Sequence, residues 1–255
     1  MTVSCPCVRP GVRAIVRQAS KCLLLFALLA AAPTTARADI LVVSPHPDDD
    51  LIMAAGVVQR ALARGETVRV VYITNGDFQG TSLAPLRQSE AVNGQAALGL
   101  GEDNLIFLGY PDGYVFEIRD RWRYPWDYSD PDAPLTTPNN GISATYGTRG
   151  LGRMDYHRYR FGVAGSYRWE TMVGDMADLL NTYRPSHIFS TSQWDTHLDH
   201  EATFFLVQAA VLQLMTTVPS YNPTIHKTTV WPGDDSWPAA LDPTPYFTEI
   251  PKPPF

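Results

Sequence analysis

The chain has 255 residues, with 20 Lys and Arg against 26 Asp and Glu, a formal charge of −6, and three cysteines that all fall before residue 23. A chain of this length buries a sizeable core without disulfides. Its acidic balance argues against nucleic acid and anionic membrane surfaces as partners and favours a neutral or cationic ligand.

Residues 1–38 read as a secretory signal peptide. Arg9, Arg13, Arg17 and Lys21 make a basic start, and Leu23 to Ala32 an apolar stretch; Ala36-Arg37-Ala38 is a small-x-small cleavage site. The apolar stretch falls short of the ~20 residues of a spanning helix, so stable membrane insertion of the mature chain is not expected. Cleavage near Ala38 implies a secreted or periplasmic protein. It removes Cys5, Cys7, Cys22, five basic residues and no acid, leaving 15 basic against 26 acidic residues, or −11.

From Ile40 the chain keeps a βα rhythm. The apolar run at 40–44 predicts a strand. Asp49 and Asp50 then stand where first-turn carboxylates belong, and a helix follows over 51–64, stopped by Gly65. The Val, Tyr and Ile of 67–74 predict a second strand. An amphipathic helix over 84–98 is closed by Gly99, and a third strand covers 105–108, ending at the turn cluster Gly109 to Gly113.

The rhythm breaks at 113–165, a stretch rich in Tyr, Trp, Arg, Gly and Pro without sustained period. A loop region this long inside a domain points to function. Its aromatics with interleaved Arg, Trp122 and Trp126 among them, suit a polar ring-shaped ligand and are expected to shape the substrate site; the alternative is that they pack the loop onto the domain as a small core of its own. A helix over 166–183, a strand over 186–191, a helix over about 200–215 and a strand over 225–231 complete the pattern. The tail, 232–255, holds seven prolines and reads as a linker or extended segment, compatible with a further domain beyond it. The expected fold is α/β: a Rossmann-like, doubly wound, mostly parallel sheet with a long inserted loop region, forming one catalytic domain over 39–231. Neither Gly-x-Gly-x-x-Gly nor a phosphate-loop motif follows a strand.

Two strand ends carry the chemistry. Pro45-His46-Pro47-Asp48-Asp49-Asp50 follows the first strand, and Asp195-Thr196-His197-Leu198-Asp199-His200 follows the fourth. In an open parallel sheet such ends form the binding crevice. His46 and Asp49 can converge on one ion, with His200 the best-placed third ligand. Three protein ligands suit one catalytic Zn²⁺ per chain, and two His with one carboxylate also suit Fe²⁺ or another divalent metal. Asp48 is then a ready general base and His197 an oxyanion or leaving-group partner. Asp199 is expected to orient one of the imidazoles. Trp194 and Asp195 flank the second cluster and are expected to line the pocket. His157, His187 and His226, standing alone, read as scaffold.

Pro-His-Pro-Asp-Asp-Asp resembles the Ala-His-Pro-Asp-Asp-Glu signature of the PIG-L/LmbE family of zinc-dependent N-acetylglucosaminyl deacetylases. Asp195 to His200 is similar to that family's His-Pro-Asp-His motif. Arg87-x-x-Glu90 and Leu108-Gly109-x-x-Asp112-Gly113 match two others, in the right order. The resemblance implies a hydrolase that removes an N-acetyl or other N-acyl group from an amino sugar or glycan. By it His46, Asp49 and His200 hold zinc, Asp48 is the base, His197 its partner, and Arg87 and Asp112 contact sugar hydroxyls. Asp50 stands where the family has Glu, one methylene shorter, behind the ligands. Pro45 replaces Ala and Leu198 replaces Pro. Two alternatives stay open: a catalytically silent sugar-binding domain, and another metal-dependent amidase on the same fold.

Overall fold

The computed structural model describes residues 38–231. Apart from Ala38, the expected signal segment lies outside the described residues, as does the Pro-rich tail. Ala38 is buried, and its N–H donates to the Tyr183 carbonyl at 2.8 Å.

Five strands form a single parallel sheet: β1 (Ile40–Ser44), β2 (Val68–Thr74), β3 (Leu105–Tyr110), β4 (His187–Thr191) and β5 (Thr224–Thr228). Their spatial order is β3-β2-β1-β4-β5, and every pair is parallel. Ile40 lies opposite both Val68 and His187, so β1 is the centre of the sheet. This is the doubly wound arrangement. β5 stops at Thr228 rather than at 231, because the backbone N–H groups of Val230 and Trp231 leave the ladder for the Asp195 carboxylate.

The alternation of side chains sorts the core into two layers. Leu41, Val43, Val71, Ile73, Ile106 and Leu108 face one side. There they pack on α3 (Val115–Arg123), α5 (Trp169–Tyr183) and α6 (Leu198–Thr217). Ile40, Val42, Val70, Tyr72, Leu105 and Phe107 face the other, against α1 (Asp49–Ala63) and α2 (Ala84–Ala97). Coverage of both faces explains why β1 to β3 read as nearly continuous hydrophobic runs.

The excursion after β3 is more ordered than its sequence suggests. It holds α3, α4 (Tyr156–Phe161) and short 3₁₀ turns at Pro125–Asp127 and Leu151–Arg153. Val115, Ile118, Leu135 and Tyr156 from this stretch belong to the core. Trp122 and Trp126 do not meet the expectation placed on them: they lie against Trp169 and Tyr124 rather than along the cleft described below.

Arg149 clamps the excursion to the approach of β3. Its Nε and Nη2 donate to the two Glu102 carboxylate oxygens at 2.8 and 3.0 Å, and the Gly150 N–H adds a third bond. Arg149 foremost, then the Gly150 N–H, lowers the Glu102 pKa to about 2. A carboxyl depressed on folding stabilises above its unfolded pKa, and that contribution fades as pH falls through the folded value. Glu102→Gln should therefore lower Tm by roughly 2–4 °C at pH 7. The gap should narrow below pH 4.5 and close near pH 2, which thermal melts of both proteins across pH would check.

Candidate metal centre

All five strands point their carboxyl ends at one edge, and each contributes to the site. His46 to Asp49 follow β1, Asp77 and Phe78 follow β2, Asp112 and Gly113 follow β3, Asp195 to His200 follow β4, and Val230 and Trp231 follow β5. β1 and β4 are neighbours whose connections run in opposite directions, so the two His/Asp clusters flank the switch point of the sheet.

His46, Asp49 and His200 meet as a triangle. His46 Nδ1 lies 3.0 Å from Asp49 Oδ2 and 3.2 Å from His200 Nε2, and His200 Nε2 lies 3.2 Å from Asp49 Oδ2. Four ligands at the usual zinc bond lengths stand about 3.3 Å apart on a tetrahedron, so these three atoms fit three corners of one coordination sphere. The Asp49 Oδ2 also accepts from the His46 N–H at 3.0 Å, which fixes the turn ahead of α1.

Carboxylates brace the imidazoles from behind. His46 Nε2 lies 3.2 Å from Asp112 Oδ1 and 3.4 Å from Asp199 Oδ2. An Nε2–H committed to these acceptors leaves Nδ1 free to ligate. Asp199 is fully buried and accepts from the backbone N–H groups of Gly113, Val115 and Phe116 at 2.7, 2.9 and 3.3 Å. His200 Nδ1 lies 3.1 Å from Asp195 Oδ2, which also accepts from the N–H groups of Val230 and Trp231 at 2.7 and 3.1 Å.

Charge follows the same pattern. Burial disfavours the His46 cation, but Asp112, Asp199 and Asp49 outweigh it and hold its pKa well above the usual value. His200 is likewise raised by Asp195 and Asp49 against burial. Burial pushes Asp49 up, while the two imidazoles overcome it and hold the carboxyl well below its ordinary range. The site attracts positive charge, as a metal centre must.

His197 and Asp48 sit beside the triangle. The Asp199 backbone N–H donates to His197 Nδ1 at 3.3 Å, so the neutral ring carries its proton on Nε2. Burial and the adjacent His46 and His200 lower the His197 pKa. His197 also offers a ring nitrogen within 4.8 Å of those of His46 and His200. Asp48 takes the N-cap position of α1 without capping it. Its Oδ2 instead accepts from Arg87 Nη2 at 2.8 Å, and Arg87 Nη1 reaches Glu90 at 3.3 Å.

A cleft of about 340 Å³ opens over these groups, lined also by Arg87, Asp112, Phe78 and Trp231. Arg87 and Asp112 line it as expected of sugar contacts, yet each is engaged with the site itself, Arg87 with Asp48 and Asp112 with His46. Asp195 is buried behind His200 and does not line the cleft. Trp194 is 75% exposed and outside it. Asp50 is also removed from the triangle: buried, it accepts from Tyr72 Oη and Gln95 Nε2, and burial raises its pKa against those bonds. His157 and His187 have neighbours of their own, Asp175 and His226.

Sequence reasoning misses Asp77, Phe78 and Trp231. Asp77 accepts from the Asp112 N–H at 3.0 Å and from Tyr146 Oη at 2.7 Å, and so sets the β3 turn. Its signal was its place directly after the second strand, on the crevice edge. Trp231 carries none, because only the fold returns it to Asp195.

Residues 41–211 match the PIG-L family model, described as GlcNAc-PI de-N-acetylase. No curated protein matches the chain. Among solved structures, the conserved protein TT1542 from Thermus thermophilus is 22% identical, with 74% of this chain and 64% of that one covered, at a TM-score of 0.45. The N,N'-diacetylchitobiose deacetylase from Pyrococcus horikoshii is 18% identical, with 84% and 62% covered, at 0.44. GalB, the 4-carboxy-2-hydroxymuconate hydratase from Pseudomonas putida, is 17% identical, with 73% and 62% covered, at 0.41. The chain thus spans less than two thirds of the length of each of these proteins.

His200→Ala should strip most bound divalent metal, because two remaining ligands rarely hold zinc. Asp195→Asn should keep the fold and weaken metal affinity roughly 10- to 100-fold by loosening His200. Metal titration of the purified variants checks both.

Proposed function

The chain belongs to the PIG-L family, and from that membership we propose that it is a metal-dependent deacetylase that hydrolyses the amide of an N-acylated amino sugar or glycoconjugate. His46, Asp49 and His200 would hold one divalent ion, with Zn²⁺ the best match to the donor set and Fe²⁺ the alternative. Bound there, the ion would lower the pKa of a water and polarise a carbonyl.

The protein's own groups supply the rest. Asp48 takes the proton of the attacking water, because its carboxylate sits at the rim of the triangle and is not spent on capping α1. Arg87 holds that carboxylate in place through the 2.8 Å bond. His197 presents Nε2–H to the developing oxyanion. The proton held by Asp48 then passes to the departing amine, so water adds to the acyl carbon and the C–N bond breaks. The amine stays with the sugar and the acyl group leaves as a carboxylate.

One observation carries this reading: a carboxylate and a neutral imidazole line the same cleft as three converging ligand atoms, each oriented by a named partner, Arg87 for Asp48 and the Asp199 N–H for His197. A silent sugar-binding domain has no use for that arrangement. We propose export separately, from the basic start, the apolar stretch and the small-x-small site within residues 1–38.

Asp48→Asn is nearly isosteric and cannot accept the proton. It should retain metal and lose turnover by roughly 10²–10⁴-fold. The assay is acetate release from a panel running from N-acetylglucosamine through chitin oligomers to peptidoglycan fragments and glycolipid headgroups. Loss of metal from Asp48→Asn with retention in Asp49→Asn would mean that the two aspartates exchange roles.

A further inference from the structure

The cleft over the triangle does not end at Phe78 and Trp231. A second hollow of about 330 Å³ adjoins it and shares Phe78, Gly113, His197 and Trp231 with it. Phe116 and Leu198 complete its apolar wall; Thr196 and Asp199 also line it, with the Thr196 hydroxyl bonded to the Trp231 carbonyl and the Asp199 carboxylate held by backbone N–H groups. Phe78 and Trp231 are each 55% exposed and Leu198 is 49% exposed. Three large apolar side chains left open around one hollow, next to a reactive centre, mark a binding surface rather than scattered exposure.

The walls are held in place before any ligand arrives. Gly113 has φ +81°, and a Cβ there would fall 2.4 Å from Phe78 Cδ2, so the Phe78 ring rests on bare backbone. Asn139 Nδ2 donates to the Phe78 carbonyl at 2.5 Å, and the Tyr114 ring stacks on Phe78 at 6.4 Å between centroids. Trp231 is fixed at both backbone ends: its N–H donates to Asp195, and its carbonyl accepts from the N–H and Oγ1 of Thr196 at 3.0 and 2.8 Å. Asp195 is also the brace of His200, so the Trp231 wall and a metal-capable imidazole share one carboxylate.

We infer that this hollow takes the hydrocarbon chain of the acyl group, so that the preferred substrate is an amino sugar acylated with a chain longer than acetyl. The inference rests on the amide-hydrolase reading above. At an amide carbon beside His197, the amine and the acyl chain must leave in different directions. Asp48, Arg87 and Asp112 line the cleft and not the hollow, and offer hydrogen bonds to a hydroxylated sugar. In the hollow Phe78, Phe116 and Leu198 offer no hydrogen bond and Trp231 only its indole N–H, so these walls fit hydrocarbon. Hydrolysis then adds water across the C–N bond and yields the free amine and a longer-chain carboxylate.

The test is a chain-length series on the metal-loaded protein, from N-acetyl through N-butyryl and N-hexanoyl to N-octanoyl glucosamine, with octyl N-acetylglucosaminide alongside. Each methylene buried in the hollow is expected to raise kcat/KM by roughly three- to fourfold until the hollow is full, giving at least about a tenfold gain from acetyl to hexanoyl. Leu198→Gln, at the first exposed turn of α6, should collapse that gain, whereas Ile52→Gln, exposed on α1, should not. Turnover of N-acetyl sugars with a flat chain-length profile overturns the inference. A gain confined to the octyl glycoside assigns the hollow to the aglycone and also overturns it. If no amide in the series is cleaved, the hydrolase reading falls. Calorimetry then decides the hollow alone: N-octanoyl glucosamine binding at least tenfold tighter than N-acetylglucosamine supports it, and equal affinities refute it.

Discussion

Two imidazole nitrogens and a carboxylate oxygen at mutual distances of 3.0 to 3.2 Å cannot rest together in a largely buried site without positive charge among them, as protons or as a metal ion. Everything around the crevice serves that convergence. Asp112 and Asp199 hold His46 from behind, Asp195 holds His200, and the backbone N–H groups of the β3 and β5 exits hold Asp199 and Asp195 in turn. Three backbone donors fix the buried Asp199 carboxylate in place. The site's precision is thus inherited from main chain, which a parallel sheet positions well.

The same logic explains what was legible in the sequence. Strands β1 to β4 announce themselves as short apolar runs covered on both faces, and helices α1, α2, α5 and α6 as longer stretches between them, with Gly65 and Gly99 marking the ends of α1 and α2. His46, Asp49 and His200 could be named because they directly follow strands of one parallel sheet, where side chains must share an edge. The roles of Asp112 and Asp195 were harder to read. Each looks like a pocket-lining residue, but each becomes a brace through an imidazole more than four residues away in sequence or on another strand exit. Asp195 meets Trp231 across 35 positions of chain, and no local pattern encodes that approach.

The excursion after β3 shows a second reason. Its aromatics have no helical or strand period because they serve several masters. Val115 and Phe116 lend backbone N–H groups to Asp199, Leu135 and Tyr156 join the core, and Tyr146 secures Asp77. Only its first residues touch the crevice. The exposed tryptophans that look most like ligand platforms in sequence pack on neighbours elsewhere, and the platforms that do line the crevice, Phe78 and Trp231, come from outside the excursion.

His46 decides the account, because its two ring nitrogens face different partners. Nδ1 faces Asp49 and His200, whereas Nε2 faces Asp112 and Asp199, and either set could hold an ion. The direct measurement is an anomalous difference map from crystals of the zinc-loaded protein, collected at the zinc edge. The account predicts one peak per chain bonded to His46 Nδ1, Asp49 Oδ2 and His200 Nε2 at about 2.0–2.2 Å. A peak on the Nε2 side, between Asp112 and Asp199, or one held by His197 in place of Asp49, would contradict it.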